Sequence, residues 1–430
     1  NLAKAVANLE EAARLFSPDS MVEFTSAHNY LGHTALTLAE LSNPQENFSR
    51  AVKAFEGALQ VFNLTEHPEE YARAQNGLAD AALGLADYSD TAANLTKAID
   101  AYNEALKVFT VEQYAADHAA IQNHLGDAYK YLAELGNSED LFAKAIQAYE
   151  TALKLFDPEK APLDNGRTLL KLGDLCRAFA KVRNGESNLS KAIKTYQEAL
   201  KIFTKEIYPT DYAMTQGSLG YVLVDMAEVR DKEHYLLKAA KAFEEALNIL
   251  TVWDHPEESV AIESTLGRIH LALADYQETA DNLRQAFQAF DETLKYYTID
   301  KNPVEYATSL NNIGVTYKAM AESLDSMLFD TIEEFQQSKA EKLNNAITAF
   351  QEALKVFNSE TYPMDYAMTQ NNLGASYSLM AEVDDKDHCL DNATIAFQEA
   401  LKIYTPEADP ENNKKVKTNL DRIKQRFGKA

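Results

Sequence analysis

The chain has 430 residues, a formal net charge of -25, 25% charged and 46% hydrophobic residues. That composition excludes a disordered chain, and its charge disfavours nucleic acid and anionic membrane as partners. Two cysteines, Cys176 and Cys389, exclude a disulfide scaffold or a cysteine-rich metal site and suit a reducing, cytoplasmic setting. No apolar run approaches the roughly 18 residues of a membrane span, and scarce Pro (11) and Gly (15) point to long helices.

The first 16 residues, NLAKAVANLEEAARLF, carry a helical apolar stripe and align position for position with NLSKAIKTYQEALKIF at 188–203. They read as the second half of a repeat. A solenoid rarely starts on an unpaired, fully patterned helix, so the chain is expected to have been cut from something longer; an initiator Met and an apolar leader core are both missing.

Self-similarity then runs through the chain. An E-A-L-K-V/I-F string places Ala12, Ala58, Ala105, Ala152, Ala199, Ala246, Thr293, Ala353 and Ala400 at spacings of 46, then 47 five times, then 60, then 47. An L-G marker places Gly32, Ala79, Gly126, Gly173, Gly220, Gly267, Gly314 and Gly374 at spacings of 47 six times, then 60. Each repeat holds two helices. Helix A is exemplified by 365–383, and helix B by 94–109, where Leu95, Ala98, Tyr102, Ala105 and Phe109 form one stripe at helical period.

Local signals fit that division. Asn1, Asn47, Asn94, Asn188 and Asn282 are expected to cap helix B. Pro68, Pro162, Pro209, Pro256, Pro303, Pro363 and Pro410 precede the L-G marker by 11 residues and should open helix A. The small residues of the marker let a neighbour approach. The aromatic slot of helix B (Phe55, Tyr102, Tyr149, Tyr196, Phe243, Phe290, Phe350, Phe397) fills that space. No repeat buries its stripe alone, so repeats must stack.

Leu125, Gly126 and Tyr129, followed by Ala145, Tyr149 and Ala152, resemble the tetratricopeptide repeat signature, and the match runs along essentially the whole chain. The repeat departs in length, 47 residues against 34. Gln75, Gln122, Gln216 and Gln370 replace the early Trp of the pattern. Long repeats with N-N-L-G at this point are similar to those of kinesin light chain and of archaeal and bacterial repeat proteins. The resemblance implies an all-α, right-handed superhelical solenoid of stacked antiparallel helix pairs. On this reading residues 1–430 form a single solenoid. It has an orphan helix B at 1–16, eight A–B pairs over about 21–405, a 13-residue insertion within 323–342 and a polar capping helix at 411–428.

The resemblance also implies a concave groove lined by helix A, at positions 6 and 3 before the marker and 1, 4 and 5 after it. Three before it stand Asn29, Asn76, Asn123, Asn311 and Asn371. Their amides offer donor and acceptor to an extended peptide, or bond neighbouring helices instead. Segment 166–194 holds seven basic residues against two acids. Arg167, Arg177 and Lys181, with Lys130 and Arg268 in other repeats, are expected to face the groove and hold an acidic partner segment. The other reading is a solvated face with local pairs such as Asp174–Arg177, each worth little.

In the insertion, Leu324, Leu328, Ile332 and Phe335 have helical spacing. They are expected to form either an internally packed stripe on longer helices or a docking element for another protein or a second copy. Cys176 and His270 fall in a core slot, and Cys389 in a cap slot reads as an exposed thiol. Lys414, Lys415, Lys417, Arg422, Lys424 and Arg426 mark the polar last helix. No phosphate loop, nucleophile elbow or metal-ligand spacing occurs. The expectation is a non-catalytic scaffold binding a partner peptide or protein, without cofactor, metal, nucleic acid or membrane. The chain should be monomeric or weakly self-associating. The alternative is a structural module that self-associates through the insertion or the repeat ends.

Overall fold

A computed structural model describes residues 1–384 and 386–427, the side chains of the last two excepted. Among the described residues there are eighteen α-helices, one 3-10 turn and no strand. They fall into two compact bodies, Asn1–Val229 and Arg230–Ala430.

The N-terminal body begins with a B-type helix, α1 (Leu2–Leu15). Four A–B pairs follow: α2 (Met21–Ala39) with α3 (Pro44–Ala58), α4 (Pro68–Leu85) with α5 (Thr91–Ala105), α6 (Ala115–Gly136) with α7 (Glu139–Leu155), and α8 (Pro162–Ala180) with α9 (Gly185–Ile202). An A-type helix, α10 (Pro209–Ala227), closes it. The C-terminal body repeats this plan. It runs from α11 (Lys232–Leu247) through α12 (Pro256–Leu273) with α13 (Thr279–Tyr296), α14 (Pro303–Glu322) with α15 (Ile332–Ala353), and α16 (Pro363–Met380) with α17 (Lys386–Ile403). It ends on α18 (Pro410–Phe427).

Each helix packs on its chain neighbour within its body, and successive A helices also pack on one another. Lys97–Glu56 and Lys191–Glu150 link successive B helices by side chains, at 2.6 and 2.7 Å. The A helices therefore form the inner layer of each body.

All seven punctuating prolines are the first residue of an A helix, where the missing N–H costs nothing. The aromatic slot is the centre of the core: Phe55, Tyr102, Tyr149, Tyr196, Phe290 and Phe350 are fully buried. The marker glycines have no room for a side chain. A Cβ on Gly126 would stand 2.6 Å from the Tyr149 ring, and one on Gly314 2.6 Å from Phe350.

Three local expectations are corrected. Asn1 stands at the N-cap position of α1, but the other four Asn residues are not N-caps of helix B. Those helices start a turn earlier, after a left-handed residue: Asn43 (φ 46), Asp90 (φ 39), Asn184 (φ 50) and Glu278 (φ 46). Asn47, Asn94, Asn188 and Asn282 lie inside the first turn. Their Nδ2 atoms donate backwards to the carbonyls of Ser42, Ser89, Arg183 and Gln277, at 2.7, 2.5, 2.8 and 2.8 Å. They thus supply donors to carbonyls left open in the A-to-B turn. Asn1 makes no side-chain cap bond.

The insertion is not one stripe. Helix α14 stops at Glu322, Ser326–Leu328 is a 3-10 turn, and α15 starts at Ile332. Asp325 accepts from the Met327 amide at 2.9 Å, and Thr331 from the Glu334 amide at 3.1 Å. These two caps break the apolar periodicity. Phe335 packs edge-on against Phe329, with ring centroids 5.7 Å apart. Leu324 is half-buried, while Leu328 and Ile332 are 82% and 71% exposed. Finally, Cys389 is buried at 6% exposure, because its slot faces the helix pair. Arg426 and Gly428, assigned to the capping helix, have a side chain and a placement outside the described residues.

Candidate functional site

In the N-terminal body the A layer presents a ladder of carboxylates. Asp80, Asp127 and Asp174 each follow the marker by one residue. Each accepts a hydrogen bond from the hydroxyl of the aromatic slot in its own repeat: Tyr102 to Asp80 at 2.6 Å, Tyr149 to Asp127 at 2.7 Å, and Tyr196 to Asp174 at 2.5 Å. Burial and the adjacent carboxylate push all three tyrosine hydroxyls far above their ordinary range, so they remain donors.

The ladder extends to the following repeat. His124 Nδ1 lies 3.1 Å from Asp80, and Lys171 Nζ lies 2.6 Å from Asp127. Burial lowers the His124 pKa, but the hydrogen bond and charge of Asp80 outweigh it, and the net shift is upward. His33, also beside Asp80, is lowered by burial. These aspartates stand one residue after the marker, a groove position, and are at the same time the acceptors of the core.

The Asn row divides. In the C-terminal body, Asn311 Oδ1 accepts from Thr369 Oγ1 at 3.3 Å and Asn371 Oδ1 from Asn419 Nδ2 at 3.3 Å. Both oxygens serve bonds between repeats. In the N-terminal body, Asn76 Nδ2 donates to Asp80 over a long 3.3 Å. The Oδ1 atoms of Asn76 and Asn123 are buried without any partner. Asn29, at the same position of α2, is half-buried.

Of the candidate basic residues, Arg177 is firmly committed to an acid. Arg177 donates from Nε and Nη2 to Asp225 at 2.5 and 3.3 Å and lies 5.4 Å from the Tyr221 ring centroid. The pair expected with Asp174 is thus made with Asp225 on α10 instead. Arg167 reaches Asp211 only at 4.0 Å. Lys130 is 3.9 Å from Glu134, Lys181 is an exposed residue at the end of α8, and exposed Arg268 donates to Thr265 Oγ1 at 3.2 Å.

Other candidates are structural. His270 is buried with Nδ1 3.0 Å from Asn282 Oδ1. Burial pushes the Cys176 thiol up to about 11, away from reactivity. Burial and nearby Glu292 raise the Glu263 carboxyl to about 7. Among the described residues, no group of three or more His, Cys, Asp or Glu is arranged to hold a metal, and no helix is long and apolar enough to cross a membrane.

No family model matches the sequence, and no curated protein matches it significantly. Solved structures do. One is a Signal Transduction ATPase with Numerous Domains protein with a tetratricopeptide repeat sensor, from Pyrococcus horikoshii. It superposes with a TM-score of 0.50 at 17% identity over 92% of this chain. The chain carries the tetratricopeptide-repeat fold. It spans 57% of the length of that archaeal protein. A TPR repeat-containing protein from Cytophaga hutchinsonii matches at a TM-score of 0.43 and 16% identity, over 78% of this chain and 98% of its own. The quorum sensor NprR of B. thuringiensis matches at 0.41 and 12%, over 93% and 97%.

Proposed function

We propose that the chain is a non-catalytic, cytoplasmic interaction scaffold. It holds a partner peptide or protein along the A-layer groove of its N-terminal body, as the recruiting or sensing part of a larger protein. The archaeal neighbour, whose tetratricopeptide repeats are described as a sensor, supports the second half of this reading. The observation that carries the first half is the pair of unpartnered acceptors at equivalent positions, Asn76 and Asn123. A buried acceptor without a donor costs about 1–3 kcal/mol. Turning the Asn76 amide toward a ligand N–H sacrifices only its long bond to Asp80. Asn311 and Asn371 already bond other repeats. Where an acidic segment is bound, Lys130, Arg167 and Lys181 offer the charge, because Arg177 is held by Asp225.

The test compares two variants for partner capture, each checked by circular dichroism. Asn76→Ala/Asn123→Ala should lose the partner held by wild type. Asn311→Ala/Asn371→Ala should keep it and lose stability instead. Equal capture by both variants overturns the groove reading.

One observation favours a second reading. Met327 at 88% exposure joins Leu328 and Ile332 as three exposed apolar side chains on the insertion, a feature of contact surfaces. Sedimentation at two concentrations, with Leu328→Ser/Ile332→Ser as control, separates self-association from a groove-binding monomer.

A further inference from the structure

The turns joining helix A to helix B in the N-terminal body form an edge distinct from the groove. Leu41, Tyr88 and Leu135 occupy equivalent positions at the C-terminal ends of α2, α4 and α6 and are 71%, 46% and 59% exposed. Soluble proteins scatter single exposed apolar residues freely; a periodic row along one edge is different. Tyr88 is fixed from beneath by Phe48, with rings stacked 6.2 Å apart. Phe48 in turn lies so close to Gly84 that a Cβ there would stand 2.4 Å from its ring. Beside Tyr88 opens a notch of about 660 Å³, lined by Pro44, Glu46, Leu85, Tyr88 and Ser89 among others.

The edge has one sign of charge. Glu40, Asp87, Asp90, Glu134, Glu139 and Asp140 flank the three apolar residues and are all exposed. Segments 36–49, 83–96 and 131–143 contain no Lys or Arg. Arg50, Lys130 and Arg183 reach in from outside these segments to Glu46, Glu134 and Glu139. The row is interrupted at the fourth turn, where Lys181 and Arg183 flank a half-buried Val182, and the same position is again apolar and exposed at Val229 (48%) and Tyr276 (49%).

We propose that this edge is a docking surface for a cationic amphipathic helix of another protein, with an apolar side chain anchored in the notch beside Tyr88. Packed helices lie roughly 8–10 Å apart, which sets the step from one turn to the next. A helix rises about 10 Å in seven residues. A partner with apolar residues seven apart therefore meets Leu41, Tyr88 and Leu135 in register, while its Lys and Arg meet the carboxylates.

The probe is a labelled synthetic helical peptide with leucines seven residues apart on a Lys- and Arg-rich background. Its control is the same composition scrambled, and both are titrated against the full chain by fluorescence anisotropy. Wild type should bind the patterned peptide at least about tenfold more tightly than the control. Leu41→Ser/Tyr88→Ser/Leu135→Ser should lose about tenfold in affinity. Asp87→Asn/Asp90→Asn should lose about threefold and flatten the salt dependence. Asn suits the left-handed backbone of Asp90. If the triple variant is misfolded, Tyr88→Lys at the same exposed site gives the same reading. Equal binding of the scrambled peptide overturns the proposal, as does an unchanged triple variant. So does loss of binding in Asn76→Ala/Asn123→Ala, which would move the peptide to the groove.

Discussion

Two regions of this molecule solve one packing problem in opposite ways. In the N-terminal body, Tyr102, Tyr149 and Tyr196 fill the aromatic slot, and the residue after each marker is Asp80, Asp127 or Asp174. In the C-terminal body, Phe290, Phe350 and Phe397 fill it, and the same position holds Arg268, Val315 or Ala375. Phe55, the slot that precedes the tyrosines, has His33 there, its ring edge-on at 5.1 Å. A buried hydroxyl must have an acceptor. Where the ring carries one, the inner layer supplies a carboxylate; where it does not, the position is free to be apolar or basic. The chemistry of the inner face is therefore coupled to the ring chosen for the core.

The largest effect expected from breaking this match is at Asp127, which serves both Tyr149 and Lys171. Asp127→Ala strands a buried hydroxyl and removes a charged partner, and should cost about 3 kcal/mol. Adding Tyr149→Phe should recover roughly half of that. A double-mutant cycle by urea unfolding checks this, and additive losses would show that the hydroxyl and carboxylate are independent. The reverse experiment belongs in the C-terminal body. Phe350→Tyr should cost about 1–3 kcal/mol by burying an unsatisfied hydroxyl beside Val315. Adding Val315→Asp should recover part of the loss. No recovery would mean that the C-terminal packing cannot accept the N-terminal solution.

Much of this architecture was legible in the residues. The 47-residue period, the prolines at the first position of helix A and the small-for-aromatic exchange each have one physical cause and one sequence trace. What escaped needed a second signal read jointly with the first. The Asp–Tyr match is visible in the sequence, since Asp127 accompanies Tyr149 while Val315 accompanies Phe350. Read alone, however, an aspartate on a helix looks like a solvent-facing acid. Asn94 has the residue type of a cap, but the left-handed Asp90 four positions earlier already starts the helix. In the insertion, period suggested one stripe from Leu324 to Phe335, and the Asp325 and Thr331 caps overrode it. The split of the Asn row was not legible at all. Whether an amide oxygen meets Thr369 or nothing depends on a residue 58 positions away from Asn311.

The smallest effect, and the sharpest test of the coupling, is at the junction where the clamp can titrate. Asp80 is engaged by Asn76, Tyr102 and His124, whereas the corresponding Asp127 is engaged by Tyr149 and Lys171. Around His124, Asp80 and Asp127 favour the imidazolium, and burial and Lys171 oppose it, with a net raised pKa. A raised histidine stabilises the fold fully below its unfolded value near 6.5, and the contribution fades as pH rises through the folded value. His124→Ala should therefore cost more at pH 5.5 than at pH 8. His124→Lys, which copies the next repeat, should remove the pH dependence. Proton NMR titration should place His124 above the ordinary histidine value in wild type and bring it down in Asp80→Asn. A His124 titration unmoved by that substitution would mean that the carboxylate serves only the tyrosine below it, and that core and inner face are coupled one repeat at a time.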